Sequence, residues 1–263
     1  GPVNFSDLEV SGTFSAVGTR FESSGQGVLF NGMKVGSEAL FNGAVFKGPV
    51  NFSNGSISGS LYFDESRFEN KEQPPRFYGL KVDNFASFMA TVFQGGVSMI
   101  RASFKNLMFS GSAESSLTYP LVNFYGAVVD YSLIIGDLNL DTLQATRLQV
   151  KGPTVLKNVK ISGKADLRDS SIYSVRMINV TWPANPEQVW LEGLTYQGLS
   201  AGEGPLDWQK LLAWINRSRF DTRNYSQLAD YFRHGGYQDR ADEVYIEGKR
   251  RETMQKWWHP YNL

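Results

Sequence analysis

Apolar positions along this chain return every five or six residues. From residue 122 the larger members are Phe124, Val129, Ile135, Leu140, Ala145, Val150, Leu156, Ile161, Leu167, Ile172 and Met177. Ten steps cover the 53 residues between Phe124 and Met177, a mean of 5.3. Two positions ahead of each lies Val122, Ala127, Leu133, Leu138, Leu143, Leu148, Thr154, Val159, Ala165, Ser170 or Val175. An earlier block, Phe30, Val35, Phe41, Phe46, Phe52, Ile57, Phe63 and Phe68, alternates steps of five and six. A third runs Val82, Phe88, Phe93, Met99, Phe104 and Phe109. A helix repeats every ~3.6 residues and does not tolerate 26 dispersed glycines. A hairpin sheet shows longer alternating runs between turns. Here each apolar pair spans three residues before Gly, Ser, Asn or Asp intervenes, which predicts a very short strand and then a corner. Residues two apart on a strand share a face, so both members of a pair point inward. Such units bury themselves only by stacking, and the chain winds into a solenoid.

The pattern predicts that Phe104 and Ile135 are wholly buried and that the Phe-rich first half is stacked core. The register stumbles at Glu69–Arg76, which carries Pro74 and Pro75, and between residues 110 and 120; both segments are expected to bulge from the coil. Past Thr181 the pattern dissolves into Trp182-Pro183-Ala184-Asn185-Pro186 and resumes briefly at Val189-Trp190-Leu191.

After Gly204-Pro205 a helical period takes over. Trp208, Leu211, Leu212 and Ile215 fit one face; Tyr225, Leu228, Ala229 and Phe232 a second; Ala241, Val244, Tyr245 and Gly248 a third. Pro205 suits a first helical turn, Gly235-Gly236 suits a stop, and the third helix runs on toward Trp258. The expected division is a parallel β-helix over 1–181, a connecting segment over 182–204 and an α-helical cap over 205–263. The cap is expected to cover the strand edges at the end of the solenoid, which would otherwise recruit other chains.

Val3-Asn4-Phe5, Val50-Asn51-Phe52, Val122-Asn123-Phe124 and Ala165-Asp166-Leu167 resemble the unit of the pentapeptide-repeat family, a small residue, Asn or Asp, then Leu or Phe. The resemblance covers residues 1 to about 181 and implies a right-handed, four-sided parallel β-helix. The six-residue steps depart from the strict form and keep a three-sided section open. Tyr225, Leu228, Ala229, Phe232, Ala241 and Tyr245 resemble one tetratricopeptide repeat, with Thr253 where a proline is expected. The whole arrangement is similar to prokaryotic membrane-associated pentapeptide-repeat proteins. Their match rests on Leu191-Glu192-Gly193-Leu194-Thr195-Tyr196, on Trp208 to Leu212, on Tyr225 to Phe232 and on Val244 to Glu252. That resemblance implies a scaffold or binding module beside a membrane, one that regulates an attached membrane segment or channel.

Composition narrows the chemistry. Among 263 residues, 26 Lys and Arg balance 26 Asp and Glu. Zero net charge argues against a nucleic-acid partner and against an acidic DNA mimic that binds topoisomerase. The absence of cysteine removes thiolate metal sites and Cys nucleophiles, and only His234 and His259 remain for imidazole chemistry. There is no phosphate-binding glycine loop and no nucleophile elbow, so no cofactor, metal or catalytic residue is expected. His234 reads as a helix C-terminal residue. Asp130, Asp137 and Asp141, and Asp166 with Asp169 around Arg168, are the acidic sets that a carbohydrate-active or calcium-dependent β-helix enzyme would use. Corner Asp residues more commonly bond their own backbone. Lys249, Arg250, Arg251 and Lys256 precede Trp257-Trp258, a pattern that suits an anionic bilayer surface or a partner protein. Gly1–Phe5 recurs as Gly48–Phe52, the mark of a fragment of something longer. Sequons at Asn4, Asn51, Asn54, Asn179, Asn216 and Asn224 lean the expected location to the outer side of a cell envelope; a basic tail ahead of a span would favour the cytoplasmic face.

Overall fold

Each apolar pair becomes one side of a coil. In the computed structural model, which describes residues 3–258 apart from 24, 26, 113–116 and 203–206, and only the backbone of 256–258, the chain forms a parallel β-solenoid of about nine turns followed by three helices. One full coil reads Val28–Leu29, Lys34–Val35, Ala39–Leu40 and Val45–Phe46, after which Val50–Asn51 lies over Val28–Leu29. Four strand positions per coil make the section four-sided. Stacked partners are 22 residues apart in this coil, 25 in the first (Val3 under Val28) and 21 between Val128 and Gln149. Alternating steps of five and six are therefore the side lengths of one square coil.

The corners explain the glycines and their substitutes. After Phe30 the chain turns through Asn31 and Gly32, and the Met33 N–H returns to the Phe30 carbonyl at 3.2 Å. Gly32 has φ +70°, the left-handed conformation such a turn requires at its third position. Where glycine is absent, Asn or Asp often takes the same conformation. Asp137, Asn158 and Asn179 stack with φ near +53°, and their side chains form a ladder, Asn158 Nδ2 to Asp137 Oδ1 at 2.8 Å and Asn179 Nδ2 to Asn158 Oδ1 at 3.0 Å.

Inside, phenylalanine rings stack in columns one coil apart. Phe30 and Phe52 are 4.5 Å apart and 2° from parallel; Phe41 and Phe63 are at 4.7 Å, Phe63 and Phe88 at 5.5 Å, and Phe46 and Phe68 at 4.7 Å. These distances match the strand spacing of roughly 4.8 Å, so the backbone ladder sets the ring separation. From residue 128 onward Val, Leu and Ile fill the interior, and the strands lengthen to Val128–Gln144 and Gln149–Asp166, which run across several sides. Phe104 and Ile135 are both buried, as the periodicity predicts.

The segment after Phe68 does bulge: residues 69–74 occupy the corner that 47–49 fill one coil earlier. The second irregular stretch lies partly outside the described residues, at 113–116; the chain rejoins the coil as Leu117–Asn123. The solenoid extends beyond the boundary of 181 read from the sequence. Val189–Trp190 pairs with Ala165–Asp166, and Thr195–Ala201 pairs with Ser171–Met177, all in parallel. Residues 182–188 are an enlarged corner containing the short 3-10 helix Pro186–Gln188, and this insertion masks the period.

Three helices follow: α1 (Trp208–Asn216), α2 (Thr222–His234) and α3 (Gln238–Trp258). Asp207 and Asp221 cap α1 and α2 through the amides of Lys210 and Arg223. Pro205 lies outside the described residues. Gly235 and Gly236 end α2, the latter at φ +81°. Tyr225, Leu228, Ala229 and Phe232 pack against α3 through Ala241, Val244 and Gly248. A Cβ on Gly248 would stand 2.8 Å from the Cβ of Tyr225, so glycine allows the close approach. Tyr245, placed on the inner face by its spacing, is instead half exposed, because the contact stripe passes from Val244 to Gly248 and leaves it on the flank.

Candidate functional site

The basic stretch of α3 divides into two roles. Lys249 Nζ lies 2.9 Å from Glu252, and the Arg250 guanidinium makes two bonds to Glu247 at 2.7 and 2.8 Å. Both are exposed pairs within a single helical turn. Arg251 turns inward. Its guanidinium donates to the Tyr225 hydroxyl at 2.5 Å and to the Asn216 carbonyl at 3.1 Å, and lies over the Phe220 ring. It ties α3 to α2 and to the end of α1, so of the six expected contact residues this one is a structural tie. The side chains of Lys256, Trp257 and Trp258 lie outside the described residues. Beyond Arg251 and Glu252, Thr253, Met254 and Gln255 are exposed.

The cap closes the last coil through its backbone. The Arg219 amide donates to the Val189 carbonyl at 2.9 Å, and the Tyr231 hydroxyl donates to the Leu199 carbonyl at 2.9 Å. The Gln227 amide, oriented to satisfy both its ends, donates to the Leu194 carbonyl at 2.6 Å and accepts from the Tyr196 N–H at 2.8 Å. These are groups that a further coil would otherwise have paired. Trp182 and Trp214 meet across the same junction at 5.5 Å.

The acidic sets do not converge. Asp130, Asp137 and Asp141 belong to one coil and stand at successive corners, facing different sides. Asp130 pairs with Lys151 at 2.7 Å, Asp137 joins the Asn ladder, and Asp141 meets the Ser162 hydroxyl at 3.4 Å. Asp166 is buried and gripped by Arg168, Nε to Oδ1 at 2.9 Å and Nη2 to Oδ2 at 2.7 Å. Burial alone would raise its pKa, but the hydrogen bonds and charge of Arg168 hold it below the usual carboxylate range. Arg168 and Lys164 also flank the Trp190 ring, at 5.1 and 3.9 Å from its centre. That cluster was hidden in the sequence because Trp190 sits one coil away. Among the described residues no group of three or more His, Asp or Glu is arranged to hold a metal ion. His234 sits at the end of α2 with Nδ1 2.7 Å from the Asp230 carbonyl, the helix-end position read from the sequence. His259 lies outside the described residues. Asn224 is buried, which makes its sequon part of the cap core.

No family profile, no characterised protein and no solved structure matches this chain at a significant level. Among the described residues no helix is long and apolar enough to cross a membrane.

Proposed function

We propose that the chain is a non-catalytic scaffold or binding module of pentapeptide-repeat type, positioned beside a membrane by the outer flank of its third helix. The observation that carries this reading is the outer flank of α3. Tyr245, Ile246 and Met254 are exposed there together with the paired Lys249 and Arg250. Apolar rings and aliphatic stems beside ammonium and guanidinium groups suit the interfacial zone of a bilayer. The four-sided coil with steps of five and six supports the pentapeptide-repeat resemblance. The packing of Tyr225, Leu228, Ala229 and Phe232 on Ala241 supports a single tetratricopeptide-like unit used as a cap. Divergent, locally paired carboxylates support a binding role over hydrolysis.

The electrostatic part of such an anchor is small. Between Glu247 and Glu252 three bases face two acids, but Arg251 is turned inward and the two outward bases, Lys249 and Arg250, are matched by Glu252 and Glu247. At roughly 1 kcal/mol per uncompensated base near an anionic surface, binding is weak and salt-sensitive. Co-sedimentation with vesicles of mixed phosphatidylglycerol and phosphatidylcholine tests it. Weak binding at low salt, reduced by raised salt and by Lys249→Gln with Arg250→Gln, supports the reading. No binding, or binding indifferent to both, overturns it.

A further inference from the structure

A cavity of about 310 Å³ opens between the last coils and α1. Its apolar wall is made by Met177, Val180, Trp182 and Ala213. Lys210, Ala213, Trp214 and Arg217 all line it, at the spacing that sets them on one face of α1. The coil supplies the facing wall because residues 177–182 run past α1 on their way to the enlarged corner. Its volume lies at the small end of the range for ligand pockets, enough for a single ring or a short alkyl chain.

Three features give this cavity a sign. No Asp or Glu lines it among the described residues, while two cations do. Lys210 is committed in part, with Nζ 2.8 Å from Asp207. The Arg217 side chain has no hydrogen bond or ion pair with any described residue, although its neighbours Arg219, Arg223 and Arg233 all have carboxylate partners. Trp214, only 4% exposed, carries an indole Nε1 with no hydrogen-bond partner among the described residues.

We propose that this cavity binds a small organic monocarboxylate with an apolar body. The ring or chain lies against the tryptophans, and the carboxylate meets Arg217, whose planar fork accepts a carboxylate through two hydrogen bonds. One uncommitted guanidinium selects a single negative charge over a polyanion, and the apolar wall disfavours inorganic anions, which have no surface to bury. The site goes beyond the scaffold reading and stands without it, since it involves none of the α3 flank.

Titration calorimetry and tryptophan emission with phenylacetate, hexanoate and neutral phenylacetamide test the assignment. Phenylacetate and hexanoate are expected to bind saturably at one site and to change the emission of the buried pair. Phenylacetamide and the Arg217→Gln variant are each expected to lose about tenfold or more in affinity, as befits a charge-assisted bond. Arg217 is exposed and unpaired, so its variant keeps the wild-type melting curve. Ala213→Leu, which narrows the cavity from an exposed helix position, should abolish binding without altering that curve. The assignment is overturned by no saturable binding up to roughly 10 mM, by equal affinity for phenylacetamide, or by unchanged affinity in Arg217→Gln.

Discussion

Replacing Phe63 by Ala removes one ring from the middle of a column. The ring is fully buried, stacks on Phe41 and Phe88, and has Phe52 and Phe77 edge-on and Phe68 tilted around it at 5.2 to 5.7 Å. Its neighbours have little freedom to close the gap. The Phe63 amide donates to Ser87 above at 2.9 Å and the Phe41 amide to Tyr62 at 2.8 Å, so coil spacing is fixed by the backbone. A void of roughly 100 Å³ at about 24 cal/mol per Å³ costs about 2.4 kcal/mol, and the lost transfer energy adds about 2 kcal/mol. The expected loss is thus about 4–5 kcal/mol. Urea unfolding followed by circular dichroism reads the whole solenoid, whereas tryptophan emission reads only the C-terminal end, since all six tryptophans lie at or beyond residue 182. In a quasi-linear repeat the lesion should unfold the N-terminal coils ahead of the cap, so the dichroism midpoint falls further than the fluorescence midpoint. Tyr131→Ala, at an exposed corner, is the control and should change stability by less than about 0.5 kcal/mol. A loss below about 1 kcal/mol in Phe63→Ala, or one equal to the control, would refute the stacked-column account.

The remaining expectations concern the junction and the cap. Arg251→Ala should cost about 1–3 kcal/mol through the Tyr225 and Asn216 bonds, whereas Lys249→Ala and Arg250→Ala should each fall within about 0.5 kcal/mol, as measured by thermal melts. Gly248→Ala should lower the melting temperature of the cap, because its methyl would press on Tyr225. Asp166 has a folded pKa below its unfolded value of about 3.9, so the unfolded chain binds more protons in that window. The stability it contributes is complete above the ordinary carboxylate range and disappears as pH falls through the folded value; Asp166→Asn should lower stability at neutral pH and flatten this acid limb, and an unchanged limb would remove Asp166 as its cause.

What the sequence disclosed and what it concealed divide along one physical line. Burial repeats at the coil side, so Phe41, Phe63 and Phe88 announce the solenoid through spacing alone. A corner is tolerant: Glu69 to Pro74 could be seen as a bulge because the next Phe returned in register. After Thr181 an insertion fell at a corner just where the aromatic marks had already given way to Val and Leu, and the last coil was lost to view although Val189 and Leu191 keep the pair pattern. Contacts between neighbouring coils are invisible by nature, since they join residues about 22 apart with no local signature. That is why Trp190 over Arg168 and the Asp137–Asn158–Asn179 ladder emerged only in three dimensions.

The same distinction explains why the basic tail forms one patch in the sequence and not in the structure. Lys249, Arg250 and Arg251 are consecutive, but successive helical residues point about 100° apart. Two of them therefore meet acids on the outer surface while the third reaches back to Tyr225 and Asn216. A run of like charges on a helix is a ring rather than a face, and burial of its neighbours decides which member is available to a partner. Arg217 illustrates the converse. It sits alone in the sequence between Asn216 and Ser218, with no charge cluster to mark it. Only the coil running past α1 turns it into the one lining cation without an acid among the described residues, and so into the group on which the chemistry of the junction cavity depends.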